Sequence, residues 1–164
     1  MTFTVFDHRC MAEAITLARR GLHTTMPNPR VGCVLAVADR VVGRGWHERA
    51  GGPHAERVAL KEAGEAARGA TAYVTLEPCA HWGKTGPCAE ALIDAGVKRV
   101  VAAVEDPNPR VAGGGLARLR EAGVETASGL LEFEARALNP GFFSRMTRRR
   151  PWVRIKLAQS LDGR

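Results

Sequence analysis

An α/β fold with a mixed central sheet of about five strands is what this sequence predicts, and three observations predict it. Helix-like and strand-like stretches alternate from residue 54 onward, which argues for layers around a largely parallel portion of sheet. Before them, residues 31–38 and 41–47 are apolar runs separated by Asp39-Arg40, a hairpin whose antiparallel pairing makes the sheet mixed. The 164 residues, 45% hydrophobic and 25% charged, suffice for one compact domain with a core.

Each element has its own justification. Asp7 can cap a first helix that runs to about Leu22, with Met11, Ala14, Ile15, Ala18 and Leu22 as its buried stripe. That helix ends near Gly21, and residues 24–30, with Pro27 and Pro29, form a turn-rich loop. After the hairpin, Gly51-Gly52-Pro53 breaks the chain and lets a helix start at His54, with Ala55, Val58, Ala59 and Ala63 inward. Residues 71–76 are a short strand that delivers Glu77-Pro78-Cys79 at its C-terminal end. Pro87 suits the first turn of a helix, which puts Cys88 at that helix's N-terminus, ahead of Ala91, Leu92, Ala95 and a closing Gly96. Residues 97–104 read as a buried strand ended by Glu105-Asp106-Pro107-Asn108-Pro109. A fourth helix opens at residues 113–115 and runs to about Ala122. Residues 124–127 are a strand and 130–138 a final helix. In folds of this class ligands collect beyond the carboxyl ends of strands, where Cys79 is placed.

Composition excludes several functions. No apolar run approaches the roughly 18 residues of a membrane span, and no basic-then-apolar leader is visible at the N-terminus. Cys10, Cys33, Cys79 and Cys88 do not form a disulfide framework in a chain this size, so a reducing, cytoplasmic setting is expected. The net charge of +7 includes a basic run at Arg145, Arg148, Arg149 and Arg150. Such a run can attract nucleic acid. Three Trp, one Tyr and five Phe, few of them near arginines, make a poor stacking platform, so the run is read as a solvated face and no nucleic-acid or membrane partner is expected.

The chemistry concentrates in His54-Ala55-Glu56, Pro78-Cys79 and Cys88. A His-x-Glu followed by Pro-Cys and a second Cys is the pattern of zinc-dependent nucleobase deaminases. His54, Cys79 and Cys88 supply three ligands to one Zn²⁺ per chain and leave the fourth position to water, as a catalytic site requires. Zinc lowers the pKa of that water towards ~7, giving hydroxide near neutrality. Glu56, not a ligand, takes the proton and passes it to the ring nitrogen and the leaving amino group. A structural zinc would want a fourth protein ligand, for which His81, His47 or Cys33 can be proposed. Eight residues separate Cys79 from Cys88, and this insertion carries His81, Lys84 and Thr85 with a hinge at Gly83.

At this spacing the chain resembles the deaminase domain of the bifunctional riboflavin-biosynthesis deaminase/reductases. The resemblance rests on Pro27-Asn28-Pro29-x-Val31-Gly32, Gly45-Trp46-His47, Gly52-Pro53-His54-Ala55-Glu56, Thr75-Leu76-Glu77-Pro78-Cys79-x-His81-x-Gly83-Lys84-Thr85, Pro87-Cys88-Ala89-Glu90-Ala91-Leu92 and Asp106-Pro107-Asn108-Pro109. Gly86 departs from it, standing where a second proline is common. The resemblance implies a three-layer α/β/α cytidine-deaminase-like fold. It implies deamination of 2,5-diamino-6-ribosylamino-4(3H)-pyrimidinone 5′-phosphate at the 2-amino group. It also implies substrate contacts at Asn28, His47, His81, Lys84, Thr85, Asp106 and Asn108. Asn28 and the Asp106/Asn108 pair can read the amide-like edges of a pyrimidine, and Lys84 can offer charge to a phosphate.

The tail then divides the chain into a deaminase domain, residues 1–147, and a linker with the start of a dihydrofolate-reductase-like domain, residues 148–164. Residues 152–157 alternate as a strand would. NADP is expected only where that second domain is present, in cis or in trans, and reductase activity is not expected from these residues. Two alternatives stay open: a tRNA adenosine or other nucleobase deaminase, and a non-catalytic zinc-binding interaction module. Self-association is a further expectation.

Overall fold

The computed structural model describes residues 2–81, 86–109, 111–160 and 162–163. Five strands form one mixed sheet in the order β2-β1-β3-β4-β5: β1 (Gly32–Val37), β2 (Arg40–Trp46), β3 (Thr71–Val74), β4 (Arg99–Ala102) and β5 (Glu125–Ser128). β1 pairs antiparallel with both β2 and β3, and β3, β4 and β5 run parallel. The predicted hairpin and the predicted parallel portion are therefore both present. Side chains alternate across β1, which separates two cores. Val34 and Ala36 join Tyr73, Val101 and Ala103 on one face. Cys33 and Leu35 join Ala72, Val74, Val100 and Ala102 on the other.

Helices cover both faces, completing the three-layer α/β/α arrangement. α1 (Val5–Arg19), α5 (Glu132–Leu138) and α6 (Pro140–Arg148) pack on the first face. α2 (Ala55–Ala63), α3 (Cys88–Asp94) and α4 (Gly114–Glu121) pack on the second. The cap of α1 is Thr4, not Asp7. The Thr4 hydroxyl accepts from the Asp7 amide at 3.1 Å while the Asp7 carboxylate accepts from the Thr4 amide at 2.7 Å, a reciprocal capping box. Asp7 is free for this because it sits one turn inside, buried, where it also accepts from Tyr73 and Arg99. Met11, Ala14, Ile15 and Ala18 are buried as expected. Leu22 is 51% exposed, because α1 ends at Arg19 before its stripe reaches that far.

α2 lies directly on β2. A Cβ at Gly43 would stand 2.4 Å from the Ala59 carbonyl, and one at Gly45 would stand 2.2 Å from that of Ala55. Only glycine permits this approach, and the approach places the start of α2 against the sheet. Ala55, Ala59 and Ala63 are buried there, and Val58 is half-buried.

Two expectations about the C-terminal part fail. The last helix is not the one near residues 130–138, since α6 follows it. Asn139-Pro140 is a helix-start signature, with Pro at the first helical position. Residues 152–157 form no strand: Val153, Ile155 and Leu157 are exposed, and no neighbouring strand accepts their backbone groups among the described residues. Among the described residues, no helix is long and apolar enough to cross a membrane.

Candidate active site and metal centre

Topology gathers the site at one end of the sheet. β3 and β4 are parallel, so Cys79 and Asp106 both follow carboxyl ends at that edge. β1 is antiparallel to β3, so the loop before it, with Asn28, starts from the same edge. β2 ends there too, at Trp46 and His47. His54 is the N-cap of α2 and Glu56 lies in its first turn.

His54, Cys79 and Cys88 present ligand atoms that all lie within 4.8 Å of one another. His54 Nδ1 is 3.7 Å from Cys79 Sγ and 3.3 Å from Cys88 Sγ. Zn–S and Zn–N bonds at tetrahedral angles would put sulfur and nitrogen about 3.5 Å apart, so this donor set fits zinc. Pro87 is the N-cap of α3, one position earlier than expected, and Cys88 is its first residue. The Cys88 amide donates to Cys79 Sγ at 3.4 Å. The helix start thus supports the Cys79 sulfur rather than that of Cys88. A hydrogen bond between the two thiols, with Cys88 as donor, outweighs burial and draws the Cys79 thiol down to about 4. The same contact, with burial, pushes the Cys88 thiol up. The contact with Cys79 raises His54, and burial opposes it. On α2, Arg57 donates to the Gly86 carbonyl at 2.8 Å, which ties the His54 helix to the chain entering Cys88.

These residues open onto a cavity of about 280 Å³. Of the residues the sequence singled out, Asn28, His47, His54, Glu56, Cys79, His81, Asp106 and Asn108 line it, and Cys88 is buried behind His54 and Cys79. Lys84, Thr85 and the Gly83 hinge lie outside the described residues. Glu56 is 3% exposed, and burial is the main reason its carboxyl is held above the usual range. A carboxyl group so tuned exchanges a proton closer to neutrality.

His47 organises a short relay. Its Nδ1 is 2.9 Å from the Pro53 carbonyl, which can only accept, so Nδ1 carries the proton. Burial pushes its pKa down and favours the neutral ring. Nε2 is then the acceptor for the Asn28 amide nitrogen at 3.1 Å, and this leaves the Asn28 carbonyl oxygen for the cavity. The His47 and His54 rings meet edge to face at 5.5 Å. Asp106 closes an Asx turn, accepting from the Asn108 amide at 2.8 Å, and burial raises its carboxyl.

Sequence reasoning missed two contributors. Glu77, buried three residues beyond the end of β3, accepts four backbone amides. One carboxylate oxygen takes Asp106 and Gly113 at 3.0 Å each, and the other takes Gly115 at 2.9 Å and Leu116 at 3.1 Å. It therefore clamps the Asp106–Asn108 turn and the start of α4 to the Cys79 segment. A Cβ at Gly115 would stand 1.8 Å from the Pro78 carbonyl, so the two segments touch backbone to backbone. The other contributor is α6, whose Phe142, Arg145 and Met146 line the cavity. Arg145 belongs to the basic run read as solvated, but it also faces the site. The rest of that run is exposed, as expected. A pairing of Phe142 with Met146 at helical spacing was the available signal for α6.

A family profile described as the cytidine and deoxycytidylate deaminase zinc-binding region matches residues 4–104. The riboflavin biosynthesis protein RibD of Escherichia coli is 58% identical over 158 residues, covering 96% of this chain and 43% of that protein. RibD of Acinetobacter baumannii superposes with a TM-score of 0.94 at 57% identity, covering 97% of this chain and 45% of that one. A Thermotoga maritima structure, a diaminohydroxyphosphoribosylaminopyrimidine deaminase/5-amino-6-(5-phosphoribosylamino)uracil reductase, superposes with a TM-score of 0.90 at 43% identity, covering 96% and 46%. The chain thus spans less than half the length of these relatives.

Proposed function

The chain belongs to the cytidine and deoxycytidylate deaminase zinc-binding family, and from that premise we propose that it hydrolyses the 2-amino group of 2,5-diamino-6-ribosylamino-4(3H)-pyrimidinone 5′-phosphate. The observation that carries the reading is the His54, Cys79 and Cys88 triad opening on a cavity with the buried Glu56 beside it. Zinc would be held by these three residues and would supply the Lewis acidity that makes water acidic enough to react near neutral pH.

The chain's own groups do the rest. Glu56 receives a proton from the attacking water and returns protons to the ring nitrogen and the departing amino group. The water oxygen bonds to the ring carbon and the carbon–nitrogen bond breaks. Ammonia leaves, and 5-amino-6-ribosylaminouracil 5′-phosphate remains. The Asn28 carbonyl oxygen, freed by His47, accepts from an N–H edge of the ring. Asp106, Asn108 and His81 contact its polar periphery. The phosphate meets Arg145 at the cavity, with Lys84 and Thr85 as further candidates.

We also propose that residues 1–147 are the deaminase domain and that residues 148–164 lead into a reductase domain, which alone would call for NADP. That boundary falls beside the end of α6 at Arg148. A cytoplasmic location fits the free cysteines.

The test is ammonia release from the diaminopyrimidinone ribosylamine phosphate by zinc-loaded protein. Release that disappears in Glu56→Gln while zinc stays bound supports the reading. No release, with or without a reductase domain added in trans, together with turnover of cytidine, guanine or tRNA, refutes it.

A further inference from the structure

The family region ends at residue 104, but the cavity extends beyond it. Part of its lining comes from α6, and α6 is joined to the Pro27-Asn28-Pro29 loop by one buried side chain. Asn139, 6% exposed, accepts from the Arg30 amide at 2.8 Å through Oδ1, which also receives Arg30 Nε at 3.3 Å. Its Nδ2 donates to the Arg30 carbonyl at 2.8 Å. One side chain thus satisfies both backbone groups of a residue 109 positions earlier. Asn139 precedes α6, where an Asn ordinarily caps its own helix, yet it makes no side-chain cap bond here. A second tie joins the same two segments: Arg145 donates to the Pro27 carbonyl at 3.4 Å. The base of α6 is fixed by Phe143, buried and covered by the Arg136 guanidinium at 4.9 Å.

We infer that α6 is the specificity wall of this cavity, facing substrate through Phe142, Arg145 and Met146, and that Asn139 is the positioning residue that sets its place relative to the Asn28 loop. The identity of the substrate rests on the deaminase reading above. The wall itself rests on the geometry. Both segments that Asn139 joins line the cavity, so slack in this joint widens the space for substrate. Among the described residues, the side-chain hydrogen bonds of α6 run to Pro27, Phe143 and Arg150. The wall therefore acts on how substrate is seated rather than on the metal triad.

The experiment uses the zinc-loaded chain and four variants. Asn139→Ala is expected to raise KM by about tenfold or more, with kcat changed by no more than about threefold and zinc content at wild type. Phe142→Ala and Met146→Ala are expected to shift KM in the same direction. Asn139→Asp, which still accepts from the Arg30 amide but cannot donate to its carbonyl, falls between. A readout without turnover accompanies these: zinc extraction by 4-(2-pyridylazo)resorcinol is expected to be faster in Asn139→Ala, since the chelator enters through the widened cavity. If the wild type does not turn over the diaminopyrimidinone, the deaminase reading fails while the extraction rates still test the wall. The inference is overturned if Asn139→Ala only lowers Tm, with KM and extraction rate at wild-type values well below melting. It is overturned equally if Asn139→Ala loses zinc on purification and kcat with it, or if Phe142→Ala and Met146→Ala leave both KM and extraction unchanged.

Discussion

Replacing Glu77 with Gln removes half of a four-way clamp. The native carboxylate offers two oxygens to four backbone amides, those of Asp106 and Gly113 on one side and Gly115 and Leu116 on the other. A Gln side chain has one oxygen and one NH₂ group. Whichever way it turns, two of the four amides, fully buried at Gly115 and Leu116 or part-buried at Asp106 and Gly113, face a donor. Each unsatisfied buried donor costs about 1–3 kcal/mol, so the change is expected to destabilise the fold by about 4 kcal/mol. A domain with about 5–15 kcal/mol of stability survives that loss, so the variant remains measurable. The loss also loosens the turn carrying Asp106 and Asn108, both of which line the cavity. Urea unfolding of zinc-loaded wild type and Glu77→Gln gives the stability difference from the midpoints. Kinetics well below melting give the second reading, a raised KM. A loss under about 1 kcal/mol with KM unchanged would refute the reasoning, because it would mean that water or backbone adjustment satisfies the stranded amides.

Three more outcomes are expected. Burial raises the Asp7 carboxyl, but hydrogen bonds from the Thr4 amide, Tyr73 and the Thr4 hydroxyl, with the Arg99 charge, outweigh it and bring it down to about 2. A pKa lowered on folding stabilises above the unfolded value near 3.9 and loses that contribution as pH falls through the folded value. Asp7→Asn is therefore expected to cost about 2 kcal/mol at pH 7 and to flatten the acid limb of stability between about pH 4 and 2, read by urea titration across pH. Gly45→Ala puts a Cβ against the Ala55 carbonyl and pushes α2 off β2, so stability is expected to fall by about 1–3 kcal/mol, and the zinc-to-protein ratio to fall as His54 moves. Removing zinc with a chelator is expected to lower Tm, and Cys88→Ala to lower it without further response to chelator, both followed by calorimetry.

Much of the fold and of the candidate site was legible in the sequence, because both rest on short-range patterns. Apolar runs split by Asp39-Arg40 marked β1 and β2, and a three- to four-residue period marked α1 and α2. His54 and Glu56 are two apart, Cys79 follows a strand, and Cys88 starts a helix, so their places on these elements can be read locally. Some local signals misled. The apolar stripe of α1 extends to Leu22 although the helix stops at Arg19, and residues 152–157 alternate without a partner strand, which a strand needs to satisfy its backbone. Asp7 is itself a common capping residue, so the sequence points to it although Thr4, its reciprocal partner, is the cap.

What only the tertiary structure decided are pairings between residues far apart in the chain. Asn139 satisfies Arg30 across 109 residues, and Glu77 caps the turn at Asp106 and the helix start at Gly115 across 29 and 38. No periodicity encodes such contacts, because they exist only once the sheet order has brought the segments together. The sequence by itself singled out His54, Cys79 and Cys88, whose ligand atoms the fold brings within 4.8 Å of one another, and the buried Glu56 near them. The closing of the sheet and the docking of α6 decided which other residues form the cavity around them, since a wall is a relation between elements rather than a property of any one of them.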